Sequence, residues 1–182
     1  MQDSNLIFNP NLTPGEIIEA GSFGGSYFGL PIEEYTNYDY QELFNKHFDG
    51  VDTKLYLGEE YKPRLNKFKI RSGMDYQYWK DMGWMHKDDP YGWFEWYCKY
   101  SLGRRHEDDE RQIKRWNDFC GVNGRWRRRI YKIIDEAGGY NNNESKWIYS
   151  TVSPRIQQSL QHWGYRINKK DYESYKRERG GA

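Results

Sequence analysis

The sequence is short of cysteine, of long apolar runs and of recognisable catalytic spacings, and each shortage narrows what the chain can be. Its two cysteines, Cys98 and Cys120, stand apart in 182 residues, with no CxxC and no neighbouring Cys and His pair. A disulfide scaffold and a zinc–thiolate motif are therefore not expected, and both residues read as small buried apolar groups in a reducing compartment. No stretch approaches the ~18 consecutive apolar residues of a membrane span. Residues 1–10 lack the basic and then apolar order of a secretion signal. A soluble, intracellular protein, cytoplasmic or nuclear, is expected, without a membrane partner. The histidines His47, His86, His106 and His162 are dispersed with no HxxxH or HxH spacing, so neither a metal nor a cofactor is expected. No internal repeat occurs.

Aliphatic residues are also scarce: 36% of residues are hydrophobic and the mean hydropathy is −1.14. Such values suit a disordered chain, but disordered chains are poor in aromatics. This one has 8 Trp, 17 Tyr and 8 Phe. At roughly 150–250 Å² buried per ring, the aromatics supply the core that Leu, Ile and Val do not. The net charge of +1 conceals a division. Residues 1–90 hold 9 Lys and Arg against 15 Asp and Glu, whereas residues 91–182 hold 19 against 12. A basic half either attracts an anionic partner or packs against the acidic half.

The first half is punctuated by turn residues. Thr13 and Pro14 open a short helix over 16–20, as cap and first-turn residue. Residues 21–29, with Gly21, Gly24, Gly25 and Gly29, form a tight loop. Without a GxxxxGK[ST] pattern that loop is a weak phosphate cradle. Tyr40, Leu43, Phe44 and Phe48 have the spacing of a helix face, and 52–72 reads as extended pieces or a small hairpin. A helix through Tyr78, Trp79 and Met82 should end at Gly83.

The second half is periodic. Asp89 and Pro90 read as a helix opening ahead of Trp93, Trp96, Tyr97 and Tyr100. A helix over 107–120 turns Ile113, Trp116, Phe119 and Cys120 inward, with Glu107/Arg111 and Glu110/Lys114 able to meet outside. Further helices are expected over 125–137 and 153–163, and Asp171 is placed to cap a last one. The predicted fold is mainly α: a compact, aromatic-rich bundle of about four or five short C-terminal helices beside an irregular Gly- and Tyr-rich N-terminal segment, with at most a minor β hairpin. The expected organisation is a flexible terminus over 1–14, one domain over 15–175, acidic to about 88 and basic beyond, and a frayed tail over 176–182.

The strings GSFGGSYF (21–28), DPYGWFEWYCKYSLGRR (89–105), DDERQIKRW (108–116), GRWRR (124–128) and SPRIQQSLQHWGY (153–165) resemble a family of uncharacterised hypothetical proteins. The likeness spans roughly residues 15–175. It implies a self-contained domain and carries no activity, cofactor or catalytic residue.

Three functional readings follow from the residues. A nucleic-acid-binding protein would use Arg104, Arg105, Arg111, Arg115, Arg125, Arg127, Arg128 and Arg129 on phosphates, with Trp147, His162 and Trp163 stacking on bases. The helices flanking residues 121–124 also have the lengths of a helix-turn-helix. A small enzyme would hold an anionic substrate with Arg104 or Arg105 near the GSFGG loop, with Asp108, Asp109, His106 or His162 as acid or base. A protein-interaction module would display aromatics in an apolar surface patch. In each reading, internal packing and ion pairing compete for the same residues.

Overall fold

In the computed structural model, residues 7–30, 37–139 and 152–180 are described. Their α-helices are α1 Pro14–Glu19, α2 Tyr40–His47, α3 Tyr76–Asp81, α4 Trp93–Ser101, α5 Asp109–Cys120, α6 Arg125–Glu136, α7 Pro154–His162 and α8 Lys169–Gly180. The fold is mainly helical, as the apolar periodicity predicts, and α4 to α8 form the C-terminal bundle. Among the described residues no sheet forms, and the only β-type pairing is the isolated bridge between His86 and Asp89. No helix among them is long and apolar enough to cross a membrane.

Local chemistry explains the helix starts. Thr13 and Glu16 cap α1 reciprocally: the Glu16 amide donates to Thr13 Oγ1 (3.3 Å) and the Thr13 amide to Glu16 Oε2 (2.7 Å), an arrangement worth about 1 kcal/mol. The Gly83 amide closes the last turn of α3 on the Lys80 carbonyl. Two starts differ from expectation. Asp89 does not cap α4, whose cap position is Gly92 at φ 92°; the Asp89 carboxylate is drawn inward to Lys99 and Arg104 instead. Asn168 rather than Asp171 caps α8, accepting the Asp171 amide at 2.9 Å, and the helix continues to Gly180.

Where the sequence suggests extended pieces or a small hairpin over 52–72, two 3₁₀ turns form, Thr53–Leu55 and Pro63–Leu65. Backbone groups here bond the glycine loop rather than a partner strand. Phe28 N–H donates to Tyr56 O, Gly58 N–H to Gly25 O and Lys62 N–H to Gly24 O, each at 2.8 Å. That embrace accounts for the glycines. Gly21 sits at φ 63°, and a Cβ there would lie 1.9 Å from the Leu65 carbonyl oxygen. The loop is a buried plug in which the amides of Gly21, Ser22, Gly24, Ser26 and Phe28 donate to protein carbonyls.

Aromatic rings knit the halves together. α1 and α2 pack on α4, and α6 packs on α5, α7 and α8. Phe8 meets Trp96, Tyr97, Tyr100 and Trp116 edge-on at centroid distances of 5.3–5.5 Å, and the amides of Asn11 and Leu12 both donate to the Gly164 carbonyl. Residues 8–12 are thus docked, where a flexible terminus is expected from sequence. Cys98 and Cys120 are free and buried, and burial pushes both thiols well up, which keeps them protonated.

Beneath α4 runs a chain of buried charges. Lys99 Nζ lies 2.7 Å from Glu95 Oε1 and 3.1 Å from Asp89 Oδ1, and Arg104 grips Asp89 with two bonds of 2.8 and 2.6 Å. Tyr40 and the Tyr91 amide donate to Glu95 at 2.6 and 2.8 Å. Two acids and two bases cancel, which is what allows them to be buried.

Candidate ligand pocket

A cavity of about 230 Å³ opens where the glycine loop, residues 73–85, α4, α5 and α7 converge. Its walls are mostly rings: Phe23 and Tyr27 from the loop, Trp79 and Trp84, Trp93 and Phe94 from α4, and Phe119 and Trp163. Trp93 and Trp163 meet at 4.7 Å, and Phe119 stacks on Trp163 at 5.1 Å. An apolar cavity with few convergent polar groups is the usual form of a small-ligand site.

Arg115 is the cation of this wall. Its guanidinium lies 5.6 Å from the Trp84 ring centre and 5.3 Å from that of Trp163, a cation–π arrangement that orients it between two indoles. It donates to Gln112 Oε1 at 3.0 Å, and no carboxylate among the described residues forms an ion pair with it. Burial pulls its pKa down to about 10, still charged at neutral pH.

The opposite polar group is His162, stacked on Phe23 at 5.0 Å. Its Nε2 lies 2.6 Å from the Ser22 carbonyl oxygen, to which it donates, leaving Nδ1 as an acceptor. A Cβ on Gly73, which also lines the cavity, would lie 3.8 Å from that Nδ1. Burial pulls His162 down to about 4, so the ring is neutral. Ser159 adds a hydroxyl that bonds Ser72. Trp93 Nε1 is shielded from solvent and has no acceptor among the described residues.

Of the residues singled out from sequence, the structure brings Arg115, His162 and Trp163 together around this cavity. Four of the other arginines are paired internally. Arg104 is bound to buried Asp89, Arg111 donates to Asp108 at 2.8 Å, Arg127 pairs with Asp171 at 3.2 Å and Arg128 with Glu178 at 3.1 Å. The last two are bridges from α6 to α8. Arg105 rests on Tyr100 at 4.0 Å. Arg125 is exposed over Phe119 at 5.2 Å, beside the cavity wall, and Arg129 faces solvent. Trp147 lies outside the described residues.

The weaker catalytic candidates are also occupied. Asp108 receives Arg111 and Gln112; burial pushes its carboxyl up, yet these bonds outweigh it and the net shift is downward. Asp109 accepts from Trp96 Nε1 at 2.8 Å and from the His106 amide at 2.9 Å. Neither Arg104 nor Arg105 lines the cavity that the glycine loop helps to form. Phe23, Tyr27, Trp79 and Trp84 carry no site signal in the sequence, because a ring in a cavity wall has the same spacing as a ring in the core. No protein family, curated protein or solved structure matches this chain.

Proposed function

We propose that the protein binds single-stranded nucleic acid by taking one flat base into the aromatic cavity and holding an adjoining phosphate with Arg115 and Arg125. The observation that carries this reading is Arg115: a desolvated guanidinium between two indoles, with no carboxylate paired to it among the described residues. Guanidinium forks hold phosphate with directed hydrogen bonds. Rings such as Trp163 and Phe119 offer stacking surfaces worth about 1–3 kcal/mol per base, and the neutral His162 acceptor suits a donor on the edge of a base. Arg125, exposed above Phe119, extends the positive surface past the rim. With Arg104, Arg111, Arg127 and Arg128 paired internally, the contact is local, one or two phosphates rather than a long track.

The test is fluorescence titration of the wild type and Arg115→Met with nucleoside monophosphates and a short single-stranded oligonucleotide over a salt series. Wild type should quench on binding, with log K falling by about 0.7 per phosphate neutralised for each tenfold rise in salt. Arg115→Met should bind at least ~10-fold more weakly, the loss of about 1.4 kcal/mol or more. Absence of binding at low salt, or equal binding by the variant, refutes the reading.

A further inference from the structure

A second cluster lies behind the pocket wall. The turn that carries Trp84 and Met85 into the cavity continues to His86 and Asp88, which meet His106 and Glu107 from the segment leading into α5. One donor atom from each of these four side chains lies within 4.8 Å of all the others. His106 Nε2 is 2.9 Å from Asp88 Oδ2, and His86 Nε2 is 3.5 Å from Glu107 Oε1. The imidazoles meet edge to face at 4.7 Å. We propose that these four residues bind a first-row divalent cation of the zinc class, in a site of two imidazoles and two carboxylates.

The donor set selects the cation. Two nitrogens and two oxygens suit zinc and its first-row neighbours; magnesium and calcium prefer all-oxygen sets and copper(I) prefers sulfur. Bonds of about 2.0–2.1 Å to zinc place tetrahedral ligands about 3.3 Å apart. The closest contacts already bracket that value, and the widest pair has to close by about 1.5 Å. The carboxylates have room to make that move, since Asp88 and Glu107 are 48% and 72% exposed, whereas the imidazoles are 19% and 16% exposed and held.

Their backbone is held too. The Asp89 amide donates to the His86 carbonyl at 2.9 Å, Lys99 Nζ donates to the Asp88 carbonyl at 2.6 Å, and Arg111 reaches the Trp84 carbonyl at 3.3 Å. Ligand backbone fixed before the cation arrives lowers the ordering cost of binding. Without metal, Nδ1 of each imidazole accepts a long 3.2 Å bond from the amide two residues on, which leaves the proton on Nε2. Binding at Nε2 transfers that proton to Nδ1 and gives up those two contacts.

The experiment is calorimetric titration of the tag-free full chain with zinc chloride, cobalt(II) chloride and magnesium chloride, against His86→Ala/His106→Ala and Glu107→Ala. Expected are one zinc per chain with micromolar or tighter affinity, cobalt absorption typical of a four- or five-coordinate centre, and no magnesium binding at the same concentrations. The double variant should lose at least ~100-fold in zinc affinity and Glu107→Ala about 10-fold. Glu107 is exposed, so its variant reports on the site even where the double variant does not fold. Zinc binding that is absent, or unchanged in the Glu107 variant, overturns the proposal, as does magnesium binding as tightly as zinc.

Discussion

Replacing Asp89 by asparagine preserves the side chain's shape and removes one charge from the centre of the buried chain Glu95, Lys99, Asp89 and Arg104. In the native protein Asp89 is fully buried and takes two bonds from Arg104 and one from Lys99. In the variant Lys99 keeps Glu95 at 2.7 Å, but Arg104 loses its only ion-pair partner among the described residues and meets an amide of half the acceptor capacity. Breaking a buried pair by removing one partner costs about 3–5 kcal/mol. The lower end applies here, because the Arg104 side chain is 23% exposed and recovers some hydration. At about 2–4 °C per kcal/mol for a chain of this size, a loss of about 3 kcal/mol lowers the melting temperature by about 6–12 °C. The assay is urea and thermal unfolding of wild type, Asp89→Asn and Asp118→Asn. The last breaks only the exposed Lys114 pair and should cost under about 1 kcal/mol. If the two variants lose the same small amount, the buried chain of charges does not stabilise the fold as argued.

Acid should weaken the protein through His162, whose pKa burial pulls from 6.5 to about 4. The unfolded chain then binds a proton that the folded one refuses, so this contribution is intact above pH 6.5 and drains as pH falls toward 4, by about 3 kcal/mol at ~1.4 kcal/mol per unit. The difference between wild type and His162→Phe across that range isolates it; parallel curves would exclude it. Gly21→Ala should destabilise by more than ~2 kcal/mol, since its Cβ would collide with the Leu65 carbonyl at φ 63°, whereas Gly83→Ala, at φ 66° with nothing within 4 Å, should cost only ~1 kcal/mol. Equal losses in unfolding measurements would show that backbone conformation alone, not the close approach of the 53–66 segment, explains Gly21.

The pocket and the histidine cluster share one short turn, residues 84–88, with Trp84 on one side and His86 and Asp88 on the other. Arg111 ties the turn to α5 through the Trp84 carbonyl and Asp108, the helix that also presents Arg115. The two sites are therefore mechanically adjacent: a ligand that shifts Trp84, or a cation that draws Asp88 toward His106, pulls on the same stretch of backbone.

Sequence by itself determined the helical class and the positions of most helices, because period-3.6 spacing of Trp, Tyr and Ile and the stops at Gly83 and Gly103 act within a few residues. It also determined that aromatic rings form the core, since no other side chains in the chain were numerous enough to do so. Tertiary structure decided what the polar residues do. Asp89 reads as a cap but is the centre of a charge network, because its partners are distant along the chain: Lys99 sits in the last turn of α4 and Arg104 three residues past that helix's end. The arginines looked alike in sequence, and only packing separated Arg115, set between Trp84 and Trp163, from Arg127 and Arg128, whose acids come from α8. His86 and His106 are twenty positions apart with no motif spacing, and the turn between α4 and α5 is what brings their rings together. Local propensity reads neighbours along the chain; a binding site is made of neighbours across it.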